Sequence, residues 1–169
     1  MRAGLDGRPV IERNVVRLIV LDANEQVLLL HARDVGRHTA APEWELPGGD
    51  IEPGETYVDT AIRRLHEETG IRITRACVDE PTWRRDVSCT RNGSHSLRHE
   101  FIAAVRLRHA ASDADMPVDS QVGELIGYRW WRIQDIVASR QRFYPRRLPR
   151  LLPNFLAGMR IEEPYEFWG

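Results

Sequence analysis

Two adjacent carboxylates, Glu67 and Glu68, follow a pair of arginines, Arg63 and Arg64, and no Lys stands four residues later to neutralise them. On a helix, Arg64, Glu67 and Glu68 share one flank, so two negative charges are gathered beside one positive charge. A solvated surface is the ordinary fate of a Glu-Glu pair on an amphipathic helix. The surroundings set this pair apart. A glycine-containing stretch, Pro47-Gly48-Gly49, precedes the helix, Glu55 stands at its entrance, and Arg63 lies at i, i+4 from Glu67, where it can orient the carboxylate. Oxygen ligands grouped in this way suit a hard cation such as Mg2+ or Mn2+, which takes few carboxylates and leaves positions for substrate phosphates.

The elements that must position these groups are marked locally. Pro47-Gly48-Gly49 and Pro53-Gly54 are breaker clusters, and they predict a tight, exposed loop rather than a strand. Thr56 is placed to cap a helix, with Asp59 in the reciprocal capping position three residues on, and Gly70 stands where a left-handed terminal residue is wanted. Val58, Ala61, Ile62 and Leu65 recur at i, i+3, i+4 and i+7, predicting an apolar face against a core.

Residues 49–71 resemble the signature of the Nudix hydrolase family, G-x5-E-x7-R-E-U-x-E-E-x-G-U, where U is a bulky aliphatic residue. Gly49, Glu55, Arg63, Leu65, Glu67, Glu68, Gly70 and Ile71 occupy pattern positions at the right spacing. One position departs: Arg64 replaces a Glu that in some members binds metal or acts as general base. The resemblance implies an α/β fold, a Nudix-like α/β/α sandwich with a mixed β-sheet. It implies hydrolysis of a pyrophosphate bond in a nucleoside diphosphate linked to another moiety. Glu67 and Glu68, with the Gly48 or Gly49 carbonyl and Glu100 from a later strand, would hold Mg2+ or Mn2+, Arg63 would orient a carboxylate, and Glu55 would tie loop to helix. With Arg64 in place of Glu, a base from Asp113, Asp115, Asp119 or Glu124 becomes an expectation.

The rest of the chain is consistent with one domain over residues 1–169, with 42% hydrophobic residues and a net charge of −1. That charge gives no global reason to expect nucleic acid or a membrane as partner; a small nucleotide partner is what the Nudix resemblance implies. Residues 1–14 show no secretory signal and no apolar run is long enough to span a bilayer, which places the expected location in the cytoplasm. Cys77 and Cys89 lack ligand spacing and read as small core or strand residues.

Residues 14–22 and 26–31 predict paired strands. Arg17 within the first faces either a wet, substrate-binding cleft or an edge. Residues 72–90, broken by Pro81, predict two strands, and Asn92-Gly93 predicts a hairpin turn into a strand over 96–107 carrying His99 and Glu100. His99 reads as structural. Residues 124–132, aromatic-rich, predict a further strand, and 134–139 and 145–159 predict helices. Arg142, Arg146, Arg147 and Arg150 read as a solvated helix face. The C-terminal residues 162–169 either dock on the domain or pack in a homodimer. Marks of particular Nudix subfamilies are absent: no downstream Pro for ADP-ribose, no Tyr for dinucleoside polyphosphates, no SQPWPxS array for NADH. An isopentenyl diphosphate isomerase reading lacks its Cys before the box, since Cys77 is the first cysteine. A catalytically impaired nucleotide-binding domain is the other reading of Arg64.

Overall fold

The structure, a computed structural model, describes residues 7, 9–33, 41–91, 93–111 and 124–168. Its first long strand, β1 (Val10–Leu21), shows how a continuous apolar run serves two layers at once. Val16, Leu18 and Val20 point to one face of the sheet and Ile19 and Leu21 to the other, and all five are buried. On the first face they meet Ala61 and Leu65 of α1 (Tyr57–Thr69). On the second they share a core with Ile136 of α2 (Ile133–Ala138) and with Leu148, Leu151, Leu152 and Phe155 of α3 (Leu148–Leu156). The result is a mixed sheet with helices on both sides. Full burial of a side chain such as Leu65 contributes roughly 1.5–3 kcal/mol.

The remaining strands are β2 (Gln26–Arg33), β3 (Glu43–Glu45), β4 (Gly48–Asp50), β5 (Trp83–Arg91), β6 (Ser94–Arg106), β7 (Glu124–Arg132), β8 (Phe143–Tyr144), β9 (Ile161–Glu162) and β10 (Glu166–Trp168). Their main path runs β10-β5-β6-β1-β2-β3-β8, with β4 beside β1, β7 beside β2 and β9 beside β5. β1 and β6 pair in parallel over twelve residues, placing Val15 opposite Glu100 and Arg17 opposite Ile102. On its other side β1 divides: Leu21 pairs with β2, whereas Val15, Val16 and Arg17 pair with β4. The split lets the chain leading into α1 enter the sheet.

This pairing corrects the expectation of an exposed loop at the glycines. Gly48–Asp50 is a short antiparallel strand, and Gly48 is buried with φ 146°. A methyl group at Gly48 would run into the carbonyl oxygen of Val16, so glycine is needed for close backbone approach as well as for its conformation. Gly48→Ala is expected to cost about 3 kcal/mol or more, combining strain with a clash that backbone cannot relieve easily. At this chain length the melting temperature should fall by roughly 6–12 °C; an unchanged melt would show that β4 is not held as described.

Other differences are local. Residues 72–82 supply a 3-10 turn, Arg75–Cys77, and one isolated bridge, Val78 to Val105, in place of a first strand. The predicted helix over 145–159 is shortened to Leu148–Leu156, because Phe143 and Tyr144 are paired with β3 and the helix starts where Pro149 leaves no donor unsatisfied. The C-terminal segment docks by backbone: β9 and β10 both pair with β5. No helix among the described residues is long and apolar enough to cross a membrane.

Candidate active site

α1 carries the carboxylates, and its start is fixed by a capping box. The Thr56 hydroxyl accepts from the Asp59 N–H at 3.2 Å, and the Asp59 carboxylate accepts from the Thr56 N–H at 2.9 Å. At the other end Gly70, with φ 75°, donates its N–H to the His66 carbonyl. The buried stripe is Thr60, Ala61, Leu65 and Thr69, while Val58 and Ile62 are half-buried, so the core-facing side is rotated from the one the apolar spacing suggested. Thr60 and Thr69 have local hydrogen-bond partners, Glu55 and the Leu65 carbonyl, which is why polar side chains fit there.

Arg63 stitches the approach to the helix. Its Nε donates to Glu55 at 2.7 Å, Nη2 reaches Glu55 at 2.9 Å and the Asp50 carbonyl at 3.2 Å, and Nη1 reaches Glu67 at 3.3 Å. These bonds from Arg63, together with the Thr60 hydroxyl, hold the Glu55 carboxyl down to about 2. A folded value below the unfolded one contributes stability above the ordinary carboxylate range, and that contribution is lost as pH falls towards 2. Between about pH 5 and pH 2 the native chain is therefore expected to lose more melting temperature than Glu55→Gln. Parallel curves for the two would remove the clamp from the account.

Arg64 reaches the other way. Its Nε donates to the Gly48 carbonyl at 3.0 Å, Nη1 to Glu67 at 3.0 Å and Nη2 to Glu68 at 2.7 Å. Glu68 accepts in addition from the Gly48 N–H at 2.9 Å. Burial pushes the Glu68 carboxyl up, and Arg64 with that N–H pulls it back. Both carboxylates are thus paired, by arginines on the N-terminal side of the helix. The carbonyl at the centre of the group belongs to Gly48. Gly49 lies beneath the Arg64 side chain, where a methyl group would collide with the guanidinium.

Glu100 is not brought to this point. It is fully buried on β6, where it accepts a hydrogen bond from the Tyr144 hydroxyl at 2.7 Å and lies 3.7 Å from Arg17 Nε and 3.4 Å from Arg85 Nε. Arg17, Arg85 and Arg98 surround the Tyr144 ring at 5.1, 5.1 and 6.0 Å. Arg17 faces inward, with Nη1 3.5 Å from the Leu46 carbonyl. Burial opposes its charge, but Glu100, Tyr144 and Glu45 more than offset that and raise its pKa. Glu45, on β3, is pushed up by burial, with Arg17 opposing. Glu68 adds a further, smaller favourable charge effect on the same arginine.

Glu45, Arg85 and Tyr144 were missed as site residues. A charge between Trp44 and Leu46 was the available signal for Glu45; nothing local marks Tyr144. His99 pairs with Asp86 at 2.8 Å. In the basic stretch, Arg142 approaches Glu43 at 3.6 Å and Arg147 approaches Glu163 at 3.9 Å. Glu124 opens β7 opposite Arg33, with its side chain outside the described part, and Asp113, Asp115 and Asp119 lie outside the described residues.

For a divalent cation, the relevant observation is that one guanidinium satisfies the Gly48 carbonyl, Glu67 and Glu68 together. They are the oxygen groups available here to a hard cation. Among the described residues no group of three or more His, Cys, Asp or Glu side chains converges as a larger metal cluster would require.

Solved structures share this fold. A MutT protein from Methanosarcina mazei Go1 superposes with a TM-score of 0.63 at 19% identity, covering 88% of this chain and 96% of its own. A Nudix hydrolase from Nitrosomonas europaea gives 0.59 at 23%, covering 89% and 92%. These likenesses define a Nudix-type α/β fold. A family model described as NUDIX domain matches residues 12–154, and the chain belongs to the Nudix family.

Among sequence relatives, a Bacillus subtilis (strain 168) protein bearing the name of an 8-oxo-dGTP diphosphatase is 43% identical over 53 residues, 31% of this chain and 32% of its own length. An RNA pyrophosphohydrolase of Rhizobium meliloti (strain 1021) is 35% identical over 74 residues, 42% of this chain and 44% of its own length. The match to each thus spans less than half of the relative. An RNA pyrophosphohydrolase of Marinomonas sp. (strain MWYL1) is 29% identical over 159 residues, 83% of this chain and 90% of its own length.

Proposed function

We propose that the chain hydrolyses a pyrophosphate bond in a nucleotide, a nucleoside diphosphate linked to a further phosphate or another moiety. The single observation that carries this reading is that the Gly48 carbonyl, Glu67 and Glu68 all pair with one cationic group, the Arg64 guanidinium. The relatives' names support it, since one is named for 8-oxo-dGTP diphosphatase activity and two for RNA pyrophosphohydrolase activity.

In this reading the Gly48 carbonyl, Glu67 and Glu68 would hold Mg2+ or Mn2+, which supplies positive charge to phosphate oxygens and lowers the pKa of water. The protein's own groups do the rest. Arg63 fixes Glu67 and the loop ahead of the helix, so the carboxylates are preorganised rather than swinging. In this reading Arg17, inward and charged, would attract the substrate's anionic end towards the sheet. A water oxygen forms a bond to phosphorus, the bridging P–O bond breaks with its electron pair going to the leaving phosphate, and the water proton is released. Glu100 serves this chemistry from behind, by holding Arg17 in place.

One observation favours a second reading: Arg64 already fills the cation position, as it would in a domain that binds a nucleotide without turning it over. A Nudix domain of Shewanella oneidensis NrtR has been solved with ADP ribose, at a TM-score of 0.59 and 17% identity to this chain. The two readings separate in a panel of nucleoside triphosphates, nucleotide sugars, ADP-ribose and 5′-triphosphorylated RNA, followed for product release with and without Mg2+ or Mn2+. Metal-dependent release from at least one compound supports hydrolysis. Binding without release from any, at saturating metal, supports the second reading.

A further inference from the structure

We infer that Arg64 is an internal competitor for the divalent cation: its guanidinium is the cation the site holds at rest, and a metal ion gains its ligands only by displacing it. The inference rests on the proposed cation position at Gly48, Glu67 and Glu68, and concerns what this chain does with it.

Three features carry it. The guanidinium makes three donations to three different groups, Nε to Gly48 at 3.0 Å, Nη1 to Glu67 at 3.0 Å and Nη2 to Glu68 at 2.7 Å. Those groups are the oxygen donors of the cation position, so one planar fork addresses the whole set. The side chain is seated, with only 16% of its surface exposed. Gly49 leaves the space through which it passes, since any Cβ there would strike the guanidinium. A lysine could present only one point charge and would not span the three acceptors.

The charge count runs the same way. Arg63 and Arg64 face Glu52, Glu55, Glu67 and Glu68, so the cluster carries about two net negative charges before any metal arrives. A Glu at position 64 would leave about four. Resting metal affinity is thereby kept low, and the site is left ordered without metal.

The test is direct Mn2+ binding without nucleotide, read by loss of the free-ion electron paramagnetic resonance signal in the native chain, Arg64→Gln and the double variant Arg64→Gln/Glu68→Gln. Arg64→Gln is expected to bind Mn2+ at least about tenfold more tightly than the native chain, because a competing charge is removed and three acceptors are released. The double variant is expected to lose that gain. Arg64→Lys, which keeps the charge without the fork, should fall between the native chain and Arg64→Gln, and it carries the test should Arg64→Gln fail to fold. Equal affinity in the native chain and the Arg64 variants overturns the inference, as does a gain that survives Glu68→Gln. Because no substrate enters this measurement, a chain that hydrolyses nothing can still pass it, and an active hydrolase can still fail it.

Discussion

Replacing Glu68 with Gln is expected to lower turnover by roughly two to four orders of magnitude while leaving the fold in place. The amide keeps the shape and one oxygen acceptor for the Gly48 N–H, so the contact that joins helix to glycine strand survives. What it loses is the negative charge at the more sheltered of the two helix carboxylates; Glu68 has 12% of its side chain exposed, against 41% for Glu67. A charge shielded from water acts more strongly on a bound cation than one at the surface. Glu67→Gln should therefore show a smaller fall. Both are read as kcat/KM on the same substrate, with melting temperatures taken in the absence of metal to show that the variants fold. Native turnover in both variants would remove the helix carboxylates from the mechanism.

The second large effect is on stability. Arg85 is 3% exposed, lies 3.4 Å from Glu100 and 3.8 Å from Glu163, and is hydrogen-bonded to Glu166. Removing the guanidinium leaves buried carboxylates with too little positive charge around them, and breaking such a pair costs about 3–5 kcal/mol. Arg85→Met fills much of the same volume, so the loss is electrostatic rather than a cavity. Its melting temperature should fall by on the order of 10 °C. Adding Glu100→Gln should recover part of it, because the orphaned charge is then gone; Glu163 keeps the Trp83 indole N–H at 2.7 Å in either case. A melt unchanged in Arg85→Met would show that the cage does not hold the sheet edge.

How much of this was legible in the sequence depends on the range of each interaction. The α1 caps are local: Thr56, Asp59 and Gly70 act on neighbours within a turn, and the spacing alone identifies them. So is the burial of β1, whose apolar run can only lie between two layers. The pairing of Glu67 and Glu68 was local too, but the neutralising charges lie three and four residues before them rather than after, in the arginines themselves. Glu100 was different. Its surroundings are set by the parallel register of β1 with β6 and by Tyr144, 44 residues further along the chain, neither of which leaves a periodic trace. The pairing of Gly48–Asp50 escaped for the opposite reason: a glycine that usually marks a turn, Gly48, is here demanded by a strand approaching Val16 too closely for any side chain.

The central claim is that water attacks phosphorus in a nucleotide pyrophosphate at the α1 carboxylates. It is tested most directly by turnover in 18O-enriched water with mass spectrometry of the products, using whichever nucleotide in the panel is consumed. The account predicts one 18O atom per turnover, carried on a phosphate of one product, and loss of that labelled product in Glu68→Gln. Unlabelled products, or a nucleotide that binds at saturating Mg2+ or Mn2+ and is recovered intact and unlabelled, would contradict it.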